Sequence, residues 1–347
     1  MHWQFYYAKR NSFYPPDYEN AGLGGSEASI VVLSRALAAR GHQVEVFNCC
    51  YRPGVYDGVT WRQAWELADA ATPDVAVAVR FEESLWPRES VAPRYLFWML
   101  DDRTSGPASF TERFGDLGGM VVVASEAMRR RLDAAQVEVP TVTIPLPVEI
   151  ERYRGPTGDR RSVCLFSSMP NRGLDVALSI WPAIRAAVHD AELWVTGGWQ
   201  LWGFTSSEAE DRWNQILGTA PLPAGVRLLG PVSRTELVSI QQRAALTFYP
   251  CRFPEMFCLA AAESAAAGTP VVASATEALL ERIEHNHTGL LIPGDISSPV
   301  VKSSFAQAVT TLLTDRNRLD RLARNARQSV SQLVPDRVAR AWETLVD

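Results

Sequence analysis

The chain has 347 residues, 47% hydrophobic and 21% charged, with a formal net charge of -5. That length supports two ordinary domains with a full core each, and the composition excludes a disordered or fibrous chain. The mildly acidic balance gives nucleic acid no electrostatic footing. The five cysteines (Cys49, Cys50, Cys164, Cys251, Cys258) form no C-x-x-C pair. An odd, scattered set is not a disulfide framework, so a reducing, cytoplasmic setting is expected.

The start, Met1-His2-Trp3-Gln4-Phe5, lacks a basic region followed by a long apolar stretch, so no signal peptide is expected. No apolar run reaches the ~18–20 residues that span a bilayer, and no transmembrane segment is expected. Arg129-Arg130-Arg131 is a basic cluster that leaves peripheral membrane contact open, with a solvated helix face as the preferred reading.

Short apolar runs alternate with helical patterns along the whole chain. In the first half the patterns predict strands at 3–7, 43–47, 74–79, 95–99, 120–123 and 141–144, and helices over 26–40 and 125–135. In the second half they predict strands at 163–166, 192–196, 226–229, 246–248, 270–272 and 289–292. Helices are expected over 173–188, 234–243, 257–267, 303–314 and 316–333. This rhythm predicts an α/β chain of parallel sheets with helices on both faces. So many strands exceed one comfortable open sheet, which gives two domains. A linker is expected at 144–159, where Pro145, Pro147, Gly155, Pro156 and Gly158 lie among charged residues. The predicted division is 1–147, 148–330, and a C-terminal helix over 331–347.

Three segments carry candidate chemistry. The first is Gly22-Leu23-Gly24-Gly25-Ser26-Glu27, ahead of a helix whose apolar stripe is Ile30, Val31, Leu33, Leu37 and Ala38. Glycines at a helix start let backbone N–H groups approach an anion. A plain glycine loop with Ser26 as helix cap and Glu27 in the first turn is the structural alternative. The spacing is not G-x-G-x-x-G, which speaks against a nicotinamide dehydrogenase.

The second segment runs Pro254-Glu255-Met256-Phe257-Cys258-Leu259-Ala260-Ala261-Ala262-Glu263, followed by Gly268-Thr269-Pro270-Val271-Val272. A helix starting near Phe257 would offer the N–H groups of Met256, Phe257, Cys258 and Leu259 to a diphosphate. Glu255 at the loop could accept from sugar hydroxyls, and Glu263, two turns on, from ribose hydroxyls. Dipole partnership for Glu255 and a solvent-facing position for Glu263 are the structural alternatives.

The third segment is Ser167-Ser168-Met169-Pro170-Asn171-Arg172-Gly173, a small-residue turn with one cation. Arg172 could hold a diphosphate and stabilise a leaving group, or be a surface arginine. The adjacent Asp101 and Asp102 lack a partner at ligand spacing, and no metal or other cofactor is expected. The N-terminal aromatics Phe5, Tyr6, Tyr7, Phe13, Tyr14 and Tyr18 could line an acceptor cleft or pack in the core.

Together these segments resemble the glycosyltransferase family 4 group of GT-B enzymes. The resemblance is strongest over 226–295. It rests on the E-x7-E spacing of Glu255 and Glu263, on Gly268-Thr269-Pro270-Val271-Val272 and on Thr288-Gly289-Leu290-Leu291-Ile292-Pro293-Gly294. Gly24-Gly25-Ser26-Glu27 and the Ser167 to Gly173 turn resemble one branch of that group. The resemblance implies the GT-B fold, two Rossmann-like domains whose parallel sheets face a central cleft, with acceptor binding by the first and donor binding by the second. It implies retention of configuration, no metal, and a last helix that crosses back to the first domain.

By the same resemblance Glu255 would meet the donor sugar, Glu263 the ribose, and Arg172 would stand where the family has a phosphate-binding lysine. Catalysis is thus assigned to Glu255 and Arg172. The donor-binding set is Gly24, Gly25, Ser167, Ser168, Gly198, Val232, Met256, Phe257, Cys258, Leu259 and Glu263. Ser26, Glu27 and Asp101 are placed near acceptor and sugar. Two departures stand out: Ser167 replaces an arginine, and Trp98-Met99-Leu100-Asp101 has Leu100 where the family has histidine. The expected function is a retaining glycosyltransferase using a nucleotide-sugar donor, UDP-linked before GDP-linked, and a small-molecule or glycan acceptor. A nucleotide-binding partner subunit without activity and a sugar-nucleotide epimerase remain as alternatives.

Overall fold

A computed structural model describes residues 1–8, 12–80, 92–101, 118–155, 160, 162–218 and 221–346. Asp102 of the metal reading, and Pro156 and Gly158 of the expected linker, lie outside the described residues. The chain divides into two compact units. The first comprises Met1–Tyr18, Leu23–Pro147 and Leu333–Asp347; the second comprises Glu19–Gly22 and Val148–Gln332.

The first unit holds β1 (His2–Tyr6), β2 (Gln43–Tyr56), β3 (Val59–Gln63), β4 (Val75–Val79), β5 (Arg94–Met99), β6 (Met120–Val123) and β7 (Thr141–Thr143). They form one sheet in the order β3-β2-β1-β4-β5-β6-β7. Pairing between neighbours is parallel, as Trp3 on Val44 and Val75, and Leu96 on Met120, illustrate; only the end of β2 runs against β3, with Gly54 on Trp61 and Tyr56 on Val59. The central strands read as unbroken apolar runs because both faces are covered: every residue of β4 is buried. β3 and the 14-residue length of β2 were not foreseen, since charged and glycine-containing residues interrupt the alternation at 48–58.

The helix Gly25–Ala39 follows the first glycine loop, with Gly24 as its N-cap. Ser26 is therefore inside the first turn and is not the cap. Gly41, in the left-handed region (φ 88°), ends the helix: its N–H and that of His42 bond back to Ala38 and Leu37. The C-terminal helix Pro335–Glu343 belongs to this unit. Its fully buried Trp342 packs against Trp3, Phe5 and Trp98, with ring centroids 5.1 to 6.5 Å apart. Of the N-terminal aromatics, Phe5, Tyr7, Phe13 and Tyr18 are core residues.

The second unit holds β8 (Val163–Ser167), β9 (Glu192–Thr196), β10 (Val226–Gly230), β11 (Leu246–Tyr249), β12 (Val271–Ser274) and β13 (Gly289–Ile292). Their order is β10-β9-β8-β11-β12-β13, again parallel. The order reverses between β8 and β11, so the loops leaving these two strands diverge and open a crevice at their carboxyl ends. A continuous core beneath the sheet includes Phe166, Trp181, Val195, Phe248, Val272, Phe305, Leu312 and Leu322. Both units are thus Rossmann-like α/β domains built on parallel sheets.

Candidate functional site

Most of the donor-site residues inferred from sequence fall at the carboxyl edge of the second sheet. Ser167 ends β8, Ser168 follows it, and Arg172 closes a short 3-10 turn, Pro170–Arg172. Gly173 then caps the helix Leu174–Ala187 in the left-handed region, φ 116°. A Cβ at Gly173 would stand 2.1 Å from the Pro250 carbonyl oxygen. Only glycine lets the loop leaving β8 touch the loop leaving β11. This contact spans the switch point and fixes Arg172 beside the segment that carries Glu255.

Arg172 Nη1 lies 3.2 Å from Glu255 Oε1, and the Arg172 guanidinium also sits over the Phe253 ring at 5.6 Å. The Tyr249 hydroxyl, at the end of β11, donates to the same Glu255 oxygen at 2.5 Å. The Glu255 carbonyl accepts from Ala278 N–H at 2.9 Å, tying the loop to the segment after β12. Burial pushes the Tyr249 phenol well above its usual range, so it stays a donor.

The helix after this loop runs Leu259–Ala266, starting two residues later than the sequence pattern suggests. The reason is Cys258, which takes a left-handed conformation (φ 64°) as N-cap and turns the chain before the helix begins. Met256, Phe257 and Cys258 are buried in that turn. Among the described residues no protein acceptor takes the N–H groups of Phe257 and Cys258. They are available to an anion at a helix start. Burial raises the Cys258 thiol well above its usual range, making it an inert packing group.

Glu263 is buried, not solvent-facing. Its Oε1 accepts from Arg234 Nη1 at 2.6 Å, and Arg234 Nη2 reaches the Tyr153 hydroxyl at 3.4 Å. Tyr153 in turn donates to Gln241 Oε1 at 2.8 Å. A buried carboxylate needs such a counter-charge. Gly198 and Val232 follow β9 and β10 on the same edge. A Cβ at Gly198 would meet Gln200 Oε1 at 2.7 Å, and the Val232 carbonyl lies 2.7 Å from where a Gly22 Cβ would stand.

In the first unit, Gly24, Gly25, Ser26 and Glu27 sit at the start of the helix Gly25–Ala39, and Asp101 follows β5. Glu27 is buried and accepts from the Tyr7 hydroxyl at 2.5 Å. Arg80, just after β4, places Nη1 3.8 Å from Glu27 and Nε 2.5 Å from Asp101 Oδ2. Burial works against the Arg80 charge, but Asp101 and Glu27 outweigh it and hold the guanidinium protonated. β1 and β4 flank the reversal of this sheet too, so the cluster marks the first unit's switch point.

Arg80, Arg234, Tyr153 and Tyr249 were not singled out from the sequence. Tyr249 carried a signal, as the polar end of an apolar strand before Pro250. Arg80 and Arg234 carried none, because a lone arginine gives no sign of its burial. Arg129 of the basic cluster is engaged within its own helix, with Glu126 at 2.6 Å and Asp133 at 2.9 Å. Among the described residues no group of three or more His, Cys, Asp and Glu could hold a metal ion. No helix of the described residues is long and apolar enough to cross a membrane.

The chain is similar to known glycosyltransferases in sequence and in fold. A mannosyltransferase of Mycobacterium tuberculosis, named GDP-mannose-dependent alpha-(1-6)-phosphatidylinositol monomannoside mannosyltransferase, is 28% identical over 230 residues, 60% of this chain and 56% of that protein. The chain thus spans little more than half the length of that relative. Sucrose-phosphate synthase from Thermosynechococcus elongatus matches with a TM-score of 0.79 at 17% identity, over 99% of this chain and 98% of that one. Anabaena HepE, solved in complex with UDP-glucose, matches with a TM-score of 0.74 at 17% identity, over 99% of both. The fold is that of GT-B glycosyltransferases. Residues 151–329, which hold the whole Arg172, Glu255 and Glu263 site, match the family described as glycosyl transferases group 1, and the chain belongs to that family.

Proposed function

We propose that the chain is a retaining, metal-independent glycosyltransferase of the family 4 type, moving a sugar from a nucleoside diphosphate to a small-molecule or glycan acceptor. The observation that carries this reading is the meeting of Arg172 and Glu255 across the switch point, 3.2 Å apart, beside the open N–H groups of Phe257 and Cys258. One cation and a set of backbone donors suit a diphosphate leaving group. A carboxylate beside them suits sugar hydroxyls, and Glu263 the ribose. A UDP-linked donor is favoured, in keeping with the UDP-glucose bound by HepE. A GDP-linked donor is the second choice, in keeping with the mycobacterial relative's name.

The mechanism we favour is front-face substitution. The bond from the anomeric carbon to the diphosphate oxygen breaks, and charge on the leaving group is met by Arg172 and the backbone N–H groups. The acceptor oxygen bonds to the anomeric carbon from the same face, and its proton passes to the departing phosphate oxygen. No side-chain base is required. Acceptor binding is assigned to the first unit, where Glu27 and Asp101 border a polar cluster. A cytoplasmic setting goes with this reading.

Thermal unfolding of the purified chain with UDP, GDP, ADP and dTDP, with and without EDTA, tests the donor site. A ligand that binds only the folded state raises the midpoint by mass action. A rise with one nucleotide that EDTA leaves in place is the expected result. No rise with any of them would sink the donor-site assignment, and a rise abolished by EDTA would sink metal independence.

A further inference from the structure

The cation proposed to meet the diphosphate and the carboxylate proposed to meet the sugar are bonded to each other. The two strong partners of the Glu255 carboxylate converge on one oxygen: Arg172 Nη1 at 3.2 Å and the Tyr249 hydroxyl at 2.5 Å share Oε1. Cys251 Sγ approaches the same oxygen at 3.7 Å. Tyr249 is buried at the end of β11, and its hydroxyl also lies 3.3 Å from Ser168 Oγ on the facing loop.

This geometry creates a competition. A guanidinium turned toward a carboxylate is less available to a phosphate. A second donor on the same carboxylate oxygen takes up part of its negative charge, which weakens the hold on the guanidinium. Tyr249 is such a donor, and its buried ring at the end of β11 fixes its hydroxyl in place. Arg172 is charged and only partly covered, with 27% of its side chain exposed, so it can turn.

We propose that Tyr249 is a positioning residue for Glu255: it keeps the carboxylate in place while Arg172 exchanges its bond to Glu255 for one to the diphosphate of an incoming nucleotide. This rests on the donor-site reading above. In the free protein Arg172 and Glu255 are bonded to each other. On nucleotide binding Arg172 moves to the phosphates, and Glu255, still held at Oε1, offers its other oxygen to the sugar. Tyr249 acts only through Glu255 and touches neither reacting atom.

Calorimetric titration with UDP and uridine, repeated with GDP and guanosine, tests the exchange without knowledge of sugar or acceptor. Glu255→Gln removes the charge that competes for Arg172 and leaves only a neutral acceptor, so the nucleoside diphosphate should bind about three- to tenfold tighter, the range set by one hydrogen bond. The nucleoside without phosphates should bind as before. Tyr249→Phe leaves Glu255 leaning on Arg172, with only the weak Cys251 thiol beside it, so the diphosphate should bind about threefold weaker. Combined with Glu255→Gln, Tyr249→Phe should add nothing.

The outcomes separate cleanly. If neither UDP nor GDP binds the unaltered protein, the donor-site reading fails and the exchange with it. If one binds but Glu255→Gln leaves its affinity unchanged or lower, the exchange alone is overturned. If Tyr249→Phe leaves affinity unchanged, or weakens it equally with and without Glu255→Gln, the positioning role is overturned. Glu255→Ala provides the same comparison should Glu255→Gln fail to fold.

Discussion

The guanidinium of Arg234 lies 2.6 Å from the Glu263 carboxylate, with 6% and 8% of the two side chains exposed. Removing one partner leaves an uncompensated buried charge, which costs about 3–5 kcal/mol. Arg234→Ala should therefore destabilise the second unit by that amount in chemical denaturation. The double replacement Arg234→Met with Glu263→Leu should be nearly neutral for stability, yet abolish the nucleotide-induced thermal shift. A retained shift in the double variant would remove Glu263 from the nucleotide site.

Glu255→Gln keeps the shape of the side chain and its bond to Tyr249 but removes the charge proposed to meet the donor sugar. Turnover, followed as nucleotide release from UDP-glucose or GDP-mannose, should fall about 100-fold or more, the scale of losing one interaction made to developing charge. Full activity in this variant would show that the sugar is held elsewhere.

Gly173→Ala should be poorly tolerated. The new Cβ would lie 2.1 Å from the Pro250 carbonyl oxygen, and the backbone is at φ 116°. Backbone would have to move on both sides of the switch point, with a cost of about 3 kcal/mol or more. A variant with an unchanged unfolding midpoint would contradict the contact between the two loops.

The C-terminal helix should loosen in acid. Hydrogen bonding from Arg40 holds the Glu343 carboxyl down to about 2, against the opposing effect of burial, and His42 adds to it. A carboxyl lowered on folding gives stability that is full above its unfolded range, near 4.5, and is lost as pH falls toward 2. Hydrogen-exchange protection in the helix Pro335–Glu343, taken relative to the intrinsic rate at each pH, should therefore fall as pH drops between those values, and Glu343→Gln should flatten the fall. Protection independent of pH over that window would show that Trp342 alone holds the helix.

Trp342 is the apolar half of the same docking. Its side chain is fully buried among Trp3, Phe5 and Trp98. Trp342→Ala should destabilise the first unit by about 3–5 kcal/mol, a value expected for deleting a buried aromatic. A loss below about 1 kcal/mol would mean that the site collapses around the deletion.

The strand and helix rhythm was legible in the sequence because parallel strands covered on both faces read as apolar runs, as in Val75–Val79, while helices carry a 3.6-residue stripe. Glycine and proline marked the loops that needed them, with Gly173 and Gly41 each at a positive φ. The motif residues were likewise visible: Glu255 and Glu263 share one segment after β11, Arg172 lies in the turn after β8, and both turns leave the same edge of the sheet. Helix starts were less legible: Cys258 caps in a left-handed conformation that its residue type does not announce.

What only the tertiary structure decided is which charges face each other. Arg80 with Glu27 and Asp101, Arg234 with Glu263, and Arg40 with Glu343 join residues from 21 to 303 positions apart. Pairings of this kind leave no periodicity in the sequence. An arginine reads the same on a surface as in a core, and its role is set by the desolvation that neighbouring strands and helices impose. The sequence by itself determined the layers, the loops and the candidate ligands; the packing of parallel strands decided which of them are buried, paired and brought to one edge.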